Sequence, residues 1–239
     1  MDSIKFKNYF STQVLNIDPE IEEYIKWNKL YFLKNFKQLL PIDKTSNILE
    51  LGCGFGKNLL VLESLGYKNC HGIDISQEQI EYAKNVLGLC NVEKVDIFQY
   101  LYNNSTSYNC ILLIDVLEHF SDDELFKISV YLKPALKENG ILIIQVPNGI
   151  TIFNPIFYGD ITHKRAFSTY SVRQFLKMAD FDQPDFFEPN IPVNNTASFI
   201  KNVIWKLFLR PFLSLYIFIS YKRMKPTILT NNLIVRVCK

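Results

Sequence analysis

The chain has 239 residues, 48% of them hydrophobic and 21% charged, with a formal net charge of +2. That length supports one sizeable core and that balance excludes a largely disordered chain. The near-neutral charge is scattered rather than blocked, which gives no polyanion signature and no support for a nucleic-acid partner.

In chain order, Met1 to Asn16 is polar and mixed with no apolar run behind a basic start, so no secretory signal is expected and the protein is read as cytoplasmic. Residues 20 to 40 carry apolar positions at three and four spacing and end at Pro41, which predicts one or two helices. Thereafter strands at 47–52, 69–74, 92–95, 109–114 and 141–146 alternate with helices at 57–65, 77–87 and 122–137. Such alternation predicts a parallel sheet with helices on both faces and a ligand crevice beside the first strand. Five cysteines stand singly at 53, 70, 90, 110 and 238, with no C-x-x-C pair, so neither a disulfide framework nor a zinc site is read, and no metal ligands are assigned.

The first strand runs into Glu50-Leu51-Gly52-Cys53-Gly54-Phe55-Gly56, and the second ends at Asp74. A glycine turn between a buried strand and a helix suits a nucleotide, and a carboxylate ending the next strand can accept hydrogen bonds from both ribose hydroxyls. Lys57 stands where a dinucleotide fingerprint has its third glycine, which disfavours a NAD-dependent oxidoreductase. Glu50 would repel a pyrophosphate and attract a cation. The fourth strand opens into Asp115-Val116-Leu117-Glu118-His119-Phe120, a dense polar cluster leaving an apolar strand, as expected of a site.

These motifs resemble those of the class I S-adenosylmethionine-dependent methyltransferases, over about residues 45 to 180. The run from Glu50 matches the family's E/D-x-G-x-G-x-G, Asp74 its second acidic motif, and Asp115 to His119 the D-V-L-E-H of a small-molecule branch that includes ubiquinone O-methyltransferases. Leu136 to Leu142 is similar to L-K-x-G-G-x-L, with Asn139 in a glycine position where a left-handed backbone is tolerated. The resemblance implies a Rossmann-like α/β fold, a seven-stranded sheet that is mostly parallel with an antiparallel last strand. It implies S-adenosyl-L-methionine as cofactor, bound by Glu50, Gly52, Cys53, Gly54, Gly56, Asp74, Ile75, Asp96, Ile97, Asp115 and Val116, with Asp96 on the adenine amino group and Ile97 over the ring.

Past Val146, the stretch Asp160-Ile161-Thr162-His163 to Phe167 resembles a loop in methyltransferases of bacterial surface-glycan clusters, including O-antigen. A hydroxyl acceptor needs a base, and His163 is preferred, with Asp160 orienting its ring; His119 is the other candidate and can instead sit against the cofactor. A helix is expected over 171–178, capped by Ser168 or Thr169, and 233–237 should return as the last strand beside the fifth. The apolar stretch 203–219 is broken by Arg210-Pro211, too interrupted for a transmembrane span. It is read as a substrate lid, a homodimer surface, or an interfacial helix giving peripheral membrane contact through 203–225 at the inner face.

The expected organisation is therefore cap helices over 1–44, a cofactor-binding core over 45–147, a substrate loop, helix and apolar lid over 148–230, and a final strand over 231–239. The expected function is O-methylation of a small acceptor, a sugar, nucleotide sugar or other surface-polysaccharide precursor. A lipid-linked or quinone-type acceptor and a non-catalytic cofactor-binding partner are the alternatives.

Overall fold

A computed structural model describes residues 6, 9–14, 21–105, 107–151, 154–220 and 228–239. Seven strands form one sheet in the order β3-β2-β1-β4-β5-β7-β6. They are β1 Asn47–Leu51, β2 Asn69–Asp74, β3 Val92–Lys94, β4 Tyr108–Ile114, β5 Leu136–Pro147, β6 Asp185–Phe187 and β7 Asn232–Cys238. The first five are mutually parallel, and β7 runs antiparallel to both of its neighbours, β5 and β6. The order reverses between β1 and β4, which places the crevice where the glycine turn leaves β1.

The strands read as continuous apolar runs because both of their faces are covered. Alternate residues feed two separate cores: Ile111, Leu113, Leu142 and Ile144 enter one, while Cys110, Leu112, Ile141 and Ile143 enter the other. The first core is closed by α4 (Ile97–Asn103), α5 (Asp122–Ala135) and α7 (Thr169–Met178). The second is closed by α1 (Ile21–Asn35), α2 (Lys57–Ser64) and α3 (Gln77–Asn85). Ser121 and Glu124 form a capping box at α5, and Ser168 and Ser171 form another at α7, so each helix start is fixed by its own sequence.

Four details depart from the sequence reading. Helix α4 occupies a stretch to which no element was assigned. Strand β6 was not foreseen; it pairs with β7 alone. Strand β5 begins at Leu136, with Asn139 in the left-handed region at φ +61°. Arg210-Pro211 does not break the C-terminal helix: α8 (Thr196–Ile204), a π-helical turn (Trp205–Leu209) and α9 (Arg210–Ser220) run continuously over 25 residues. A proline within a helix removes one backbone donor and crowds the carbonyl one turn back. Widening the turn just before Pro211 relieves that crowding. The segment is pinned by Glu188, whose Oε2 accepts from Arg210 Nε and whose Oε1 accepts from the Leu229 N–H, both at 2.9 Å.

Candidate active site

A cavity of about 580 Å³ opens at the carboxyl ends of β1, β2 and β4. Its floor is the glycine turn, stitched to β2 by the Gly52 and Cys53 N–H groups, which both donate to Ile73 O at 2.8 and 2.9 Å. Gly52, Gly54 and Gly56 have φ of +71°, +57° and +84°, where other residues are strained. A Cβ on them would stand 2.5 Å from Val116, 2.7 Å from Gln79 Oε1 and 2.3 Å from Leu89. The room left by the missing side chains is thus filled by the protein itself, and the glycines serve close packing of the turn rather than clearance for a ligand.

Asp74 is held by its neighbours: Oδ2 accepts from Gly54 N–H at 2.9 Å and Oδ1 from Ser76 N–H at 2.8 Å. Burial pushes its carboxyl pKa up, against those N–H groups. Glu50 is 1% exposed; its Oε1 accepts from Asn58 Nδ2 at 2.6 Å, and Asn58 is held in turn by Asn28 of α1. The other oxygen, Oε2, is buried with no partner, and burial raises this carboxyl to about 8. A half-satisfied buried carboxylate is costly unless something binds it. Burial works against the Lys57 ammonium, yet Tyr24, Asp115 and Glu50 outweigh it and keep the charge, with Nζ donating to Tyr24 Oη at 2.6 Å.

Asp115 ends β4 in the left-handed region at φ +57°, and both of its oxygens accept from Gln145 Nε2 at 3.0 Å. Such a strained residue persists only where its surroundings over-determine it. Tyr31 Oη completes the chain to Gln145 at 2.7 Å. Asp115, Lys57, Asn58, Tyr24, Ile114 and Ile156 also line a second cavity of about 490 Å³, whose outer wall includes Trp27, Ile191 and Trp205.

At the far end of the first cavity lie Glu118, His119, Asp160 and His163. His163 Nδ1 is 3.0 Å from Phe157 O. A carbonyl only accepts, so Nδ1 carries the proton and Nε2 faces Glu118 Oε1 at 4.0 Å and Asp160 Oδ2 at 3.8 Å. The Phe157 carbonyl thus holds the His163 ring by a hydrogen bond and Asp160 stands beside its other nitrogen, while Asp160 also accepts from Tyr9 Oη (2.5 Å), Thr162 Oγ1 (2.6 Å) and Thr162 N–H (2.8 Å). Burial acts on Asp160 upward, but those bonds prevail and lower its pKa. Thr162 gives its hydroxyl hydrogen to Asp160, so it accepts from His119 Nδ1 at 2.9 Å. Burial, then the neighbouring His163, pushes His119 down to about 4. Glu118 is fully buried, neither of its carboxylate oxygens has a partner, and burial followed by Asp115 holds its pKa well above the usual range.

Of the residues assigned from sequence, Glu50, Gly52, Cys53, Gly54, Asp74, Ile75, Ile97, Asp115, Val116, His119, Asp160 and His163 line the cavity. Gly56 lies under the turn against Leu89. Asp96 is outside the lining and caps α4, its Oδ1 accepting from Phe98 and Gln99 N–H at 2.9 and 3.2 Å. Cys53 is buried with its thiol pKa raised by burial, unsuited to a nucleophile. His71 stands apart, stacked on Tyr100. Lining residues absent from the sequence assignment include Gln79, Tyr24, Asn58, Tyr9 and Glu118. Glu118 stands in the dense polar cluster read at the end of the fourth strand, whereas Tyr9 and Tyr24 reach the site only through the fold. An orphan carboxylate oxygen at Glu50, a fixed carboxylate at Asp74, and apolar Ile75 and Ile97 fit a ligand with an ammonium group, a ribose diol and a flat ring.

A family model described as a methyltransferase domain matches residues 24–182. The probable (S)-tetrahydroprotoberberine N-methyltransferase 2 of Papaver bracteatum is 37% identical over 107 residues, 41% of this chain and 28% of that protein. The (S)-tetrahydroprotoberberine N-methyltransferase of Eschscholzia californica is 30% identical over 105 residues, 41% of this chain and 29% of that protein. The chain thus spans under a third of the length of these curated relatives. Among solved structures, a SAM-dependent methyltransferase from Archaeoglobus fulgidus has a TM-score of 0.60 at 18% identity, covering 99% of both chains. Phosphoethanolamine N-methyltransferase 2 of Haemonchus contortus, in complex with S-adenosyl-L-methionine, has a TM-score of 0.60 at 16% identity, covering 98% of this chain and 60% of that one. At these identities the structural likeness concerns the fold.

Proposed function

From the premise that this chain belongs to the methyltransferase-domain family, with S-adenosylmethionine as its cofactor, we propose that it methylates a hydroxyl of a small acceptor: a sugar, a nucleotide sugar or another surface-polysaccharide precursor. The observation that carries the cofactor half of the reading is the pairing of the orphaned Glu50 oxygen with the fixed Asp74 carboxylate in one cavity. When bound, the cofactor supplies an electrophilic methyl carbon on a sulfonium sulfur. Glu50 would hold its ammonium group, Asp74 its ribose hydroxyls, and Ile75 and Ile97 would border the adenine. Asp115 and Val116 close the turn from the β4 side. Holding two reactants in register supplies much of the rate in such a displacement.

The acceptor oxygen belongs at the Glu118–His119–His163 end, where an unsatisfied carboxylate and imidazole nitrogens draw the hydroxyl proton. Asp160 acts on this group at one remove, by holding Thr162 and Tyr9. Calorimetric titration with S-adenosylmethionine, S-adenosylhomocysteine and NAD, beside Asp74→Ala, tests the cofactor half. A screen of sugar, nucleotide-sugar, amine and quinol acceptors with methyl-labelled cofactor tests the rest. Labelling of amines alone would replace oxygen by nitrogen as the methylated atom.

A second reading, a lipid-borne acceptor, is favoured by the Thr196–Ser220 helix. Its most apolar stretch is only 6% buried, unlike the core helix of a soluble domain, and Phe208, Phe212 and Ile219 are 66–71% exposed. At about 1.5 Å per residue it is roughly 37 Å long. Its midpoint is tied to the domain through Arg210 and Glu188, which favours lying along a bilayer over crossing it. No acidic residue follows Glu188, whereas Lys201 and Lys206 are basic, complementing anionic lipid. The basic residues Lys222, Arg223 and Lys225, part of the expected membrane contact, lie outside the described residues. Trp205 of this helix also walls the second cavity, giving a lipid-borne acceptor a route toward Asp115. Co-sedimentation with vesicles containing anionic lipid, and not with purely zwitterionic ones, is expected. Failure to bind either, with a dimer in light scattering, would assign the helix to self-association.

A further inference from the structure

The geometry points to a divalent transition-metal site formed by Glu118, His119 and His163 at the acceptor end of the cavity. Each of the three offers one ligand atom, and these atoms all lie within 4.8 Å of one another. One carboxylate with two imidazoles, and no thiolate, is a donor set for first-row ions such as Zn²⁺, Mn²⁺, Fe²⁺ or Co²⁺.

Three independent features support a cation there. Both rings are already held as metal-binding imidazoles usually are, with Nδ1–H given away and Nε2 left as a lone pair: His163 to the Phe157 carbonyl, His119 to Thr162 and through it to Asp160. Glu118 is 0% exposed and neither of its oxygens finds a partner. Its backbone is fixed as well, since Glu118 O accepts from the Lys164 N–H at 2.7 Å. Finally, among the described residues the cavity gathers the carboxyl groups of Glu50, Asp74, Asp115, Glu118 and Asp160 around one lysine, Lys57. The cofactor ammonium is matched to the Glu50 end, so it leaves the Glu118 oxygens without a partner.

The role of the ion rests on the hydroxyl-acceptor reading, although its binding does not. An acceptor hydroxyl oxygen placed on the ion loses its proton to water more readily, the O–H electron pair staying on an oxygen stabilised by the cation. His119 and His163 then act through the ion rather than by taking the proton themselves. Asp160 and Thr162 become positioning residues for the His119 ring.

The test uses the full chain, stripped with a chelator and titrated with Co²⁺ and Zn²⁺ by calorimetry and by the visible Co²⁺ spectrum, with and without S-adenosylhomocysteine. Expected are one ion per chain and a Co²⁺ spectrum typical of nitrogen and oxygen ligands. Glu118→Gln and His163→Ala should each weaken binding on the order of 100-fold or more, and Thr162→Val on the order of 10-fold. Affinity for S-adenosylhomocysteine should change little in all three, which also shows that the variants fold. Absence of a stoichiometric ion, or ion binding indifferent to Glu118→Gln, overturns the site. Methyl transfer that survives chelation but is lost in His163→Ala overturns the site while leaving the proposed function standing, with His163 as a direct base. Stoichiometric Co²⁺ binding without transfer to any oxygen acceptor leaves the site standing and removes the acceptor reading.

Discussion

Replacing Glu50 with glutamine should make the protein more stable and its cofactor binding worse. The carboxyl has an ordinary pKa of 4.5 and is raised to about 8 by burial. Below pH 4.5 it is protonated in folded and unfolded chains alike. Between 4.5 and about 8 the unfolded chain has released the proton and the folded chain retains it, so stability falls as pH rises across that window. At about 1.4 kcal/mol per unit, the cost approaches roughly 5 kcal/mol at the upper end. Glutamine keeps the bond from Asn58 and never ionises, but it leaves an amide N–H unpaired at roughly 1–3 kcal/mol, for a net gain of about 2–4 kcal/mol near pH 8. The same substitution removes the partner of the ligand ammonium, which costs roughly 2–5 kcal/mol, or about 30-fold to several thousand-fold in affinity. Urea unfolding of both proteins at half-unit steps from pH 5 to 9, with cofactor titration at each step, reads both effects. Native cofactor affinity should rise with pH toward 8 while that of Glu50→Gln stays flat. Equal pH slopes of stability in the two proteins, or unchanged cofactor affinity, would refute the argument.

Asp74→Asn should abolish measurable S-adenosylmethionine binding by calorimetry, because the amide cannot accept from Gly54, Ser76 and two ribose hydroxyls at once. Gly52→Ala should lose roughly 2–4 kcal/mol in denaturant unfolding, part from φ and part from overpacking against Val116, and Val116→Ala should restore only the second part. In metal-free protein the His119 imidazole should stay neutral in an NMR titration down to about pH 5. Its pKa of about 4 lies below the ordinary 6.5, so the unfolded chain binds the extra proton between those values and His119 makes stability rise with pH there.

The glycine turn and the acids that line the cavity beside it were legible because their information is local. Glu50 and Gly52 to Gly56 are contiguous, Asp74 ends the strand that pairs with β1, and each position is dictated by a strand end or a positive φ. Asn139 behaved as its left-handed tolerance suggested. Helix α4 escaped notice because Ile97 to Asn103 is rich in aromatic residues that favour strands as readily as helices; its signal was the capping side chain of Asp96. Strand β6 is three residues long and depends on β7, far along the chain. The polar cluster at the acceptor end was half visible: His119 and His163 were singled out, but the Phe157 carbonyl and the bond from Tyr9 to Asp160 arise from tertiary contact alone. Arg210-Pro211 misled because a proline reads as a stop, and the wider turn that accommodates it has no sequence rule of comparable strength.

The carboxylate of Glu188 grips the chain at Leu229 as well as at Arg210, so the excursion between β6 and β7 leaves and re-enters the sheet at one fastened point. A loop closed at its base carries little thermodynamic memory of its own length, since doubling a flexible loop costs only about 0.6 kcal/mol. The excursion is therefore an exchangeable cassette. Its length can change at small cost while the seven strands and the glycine turn stay as they are.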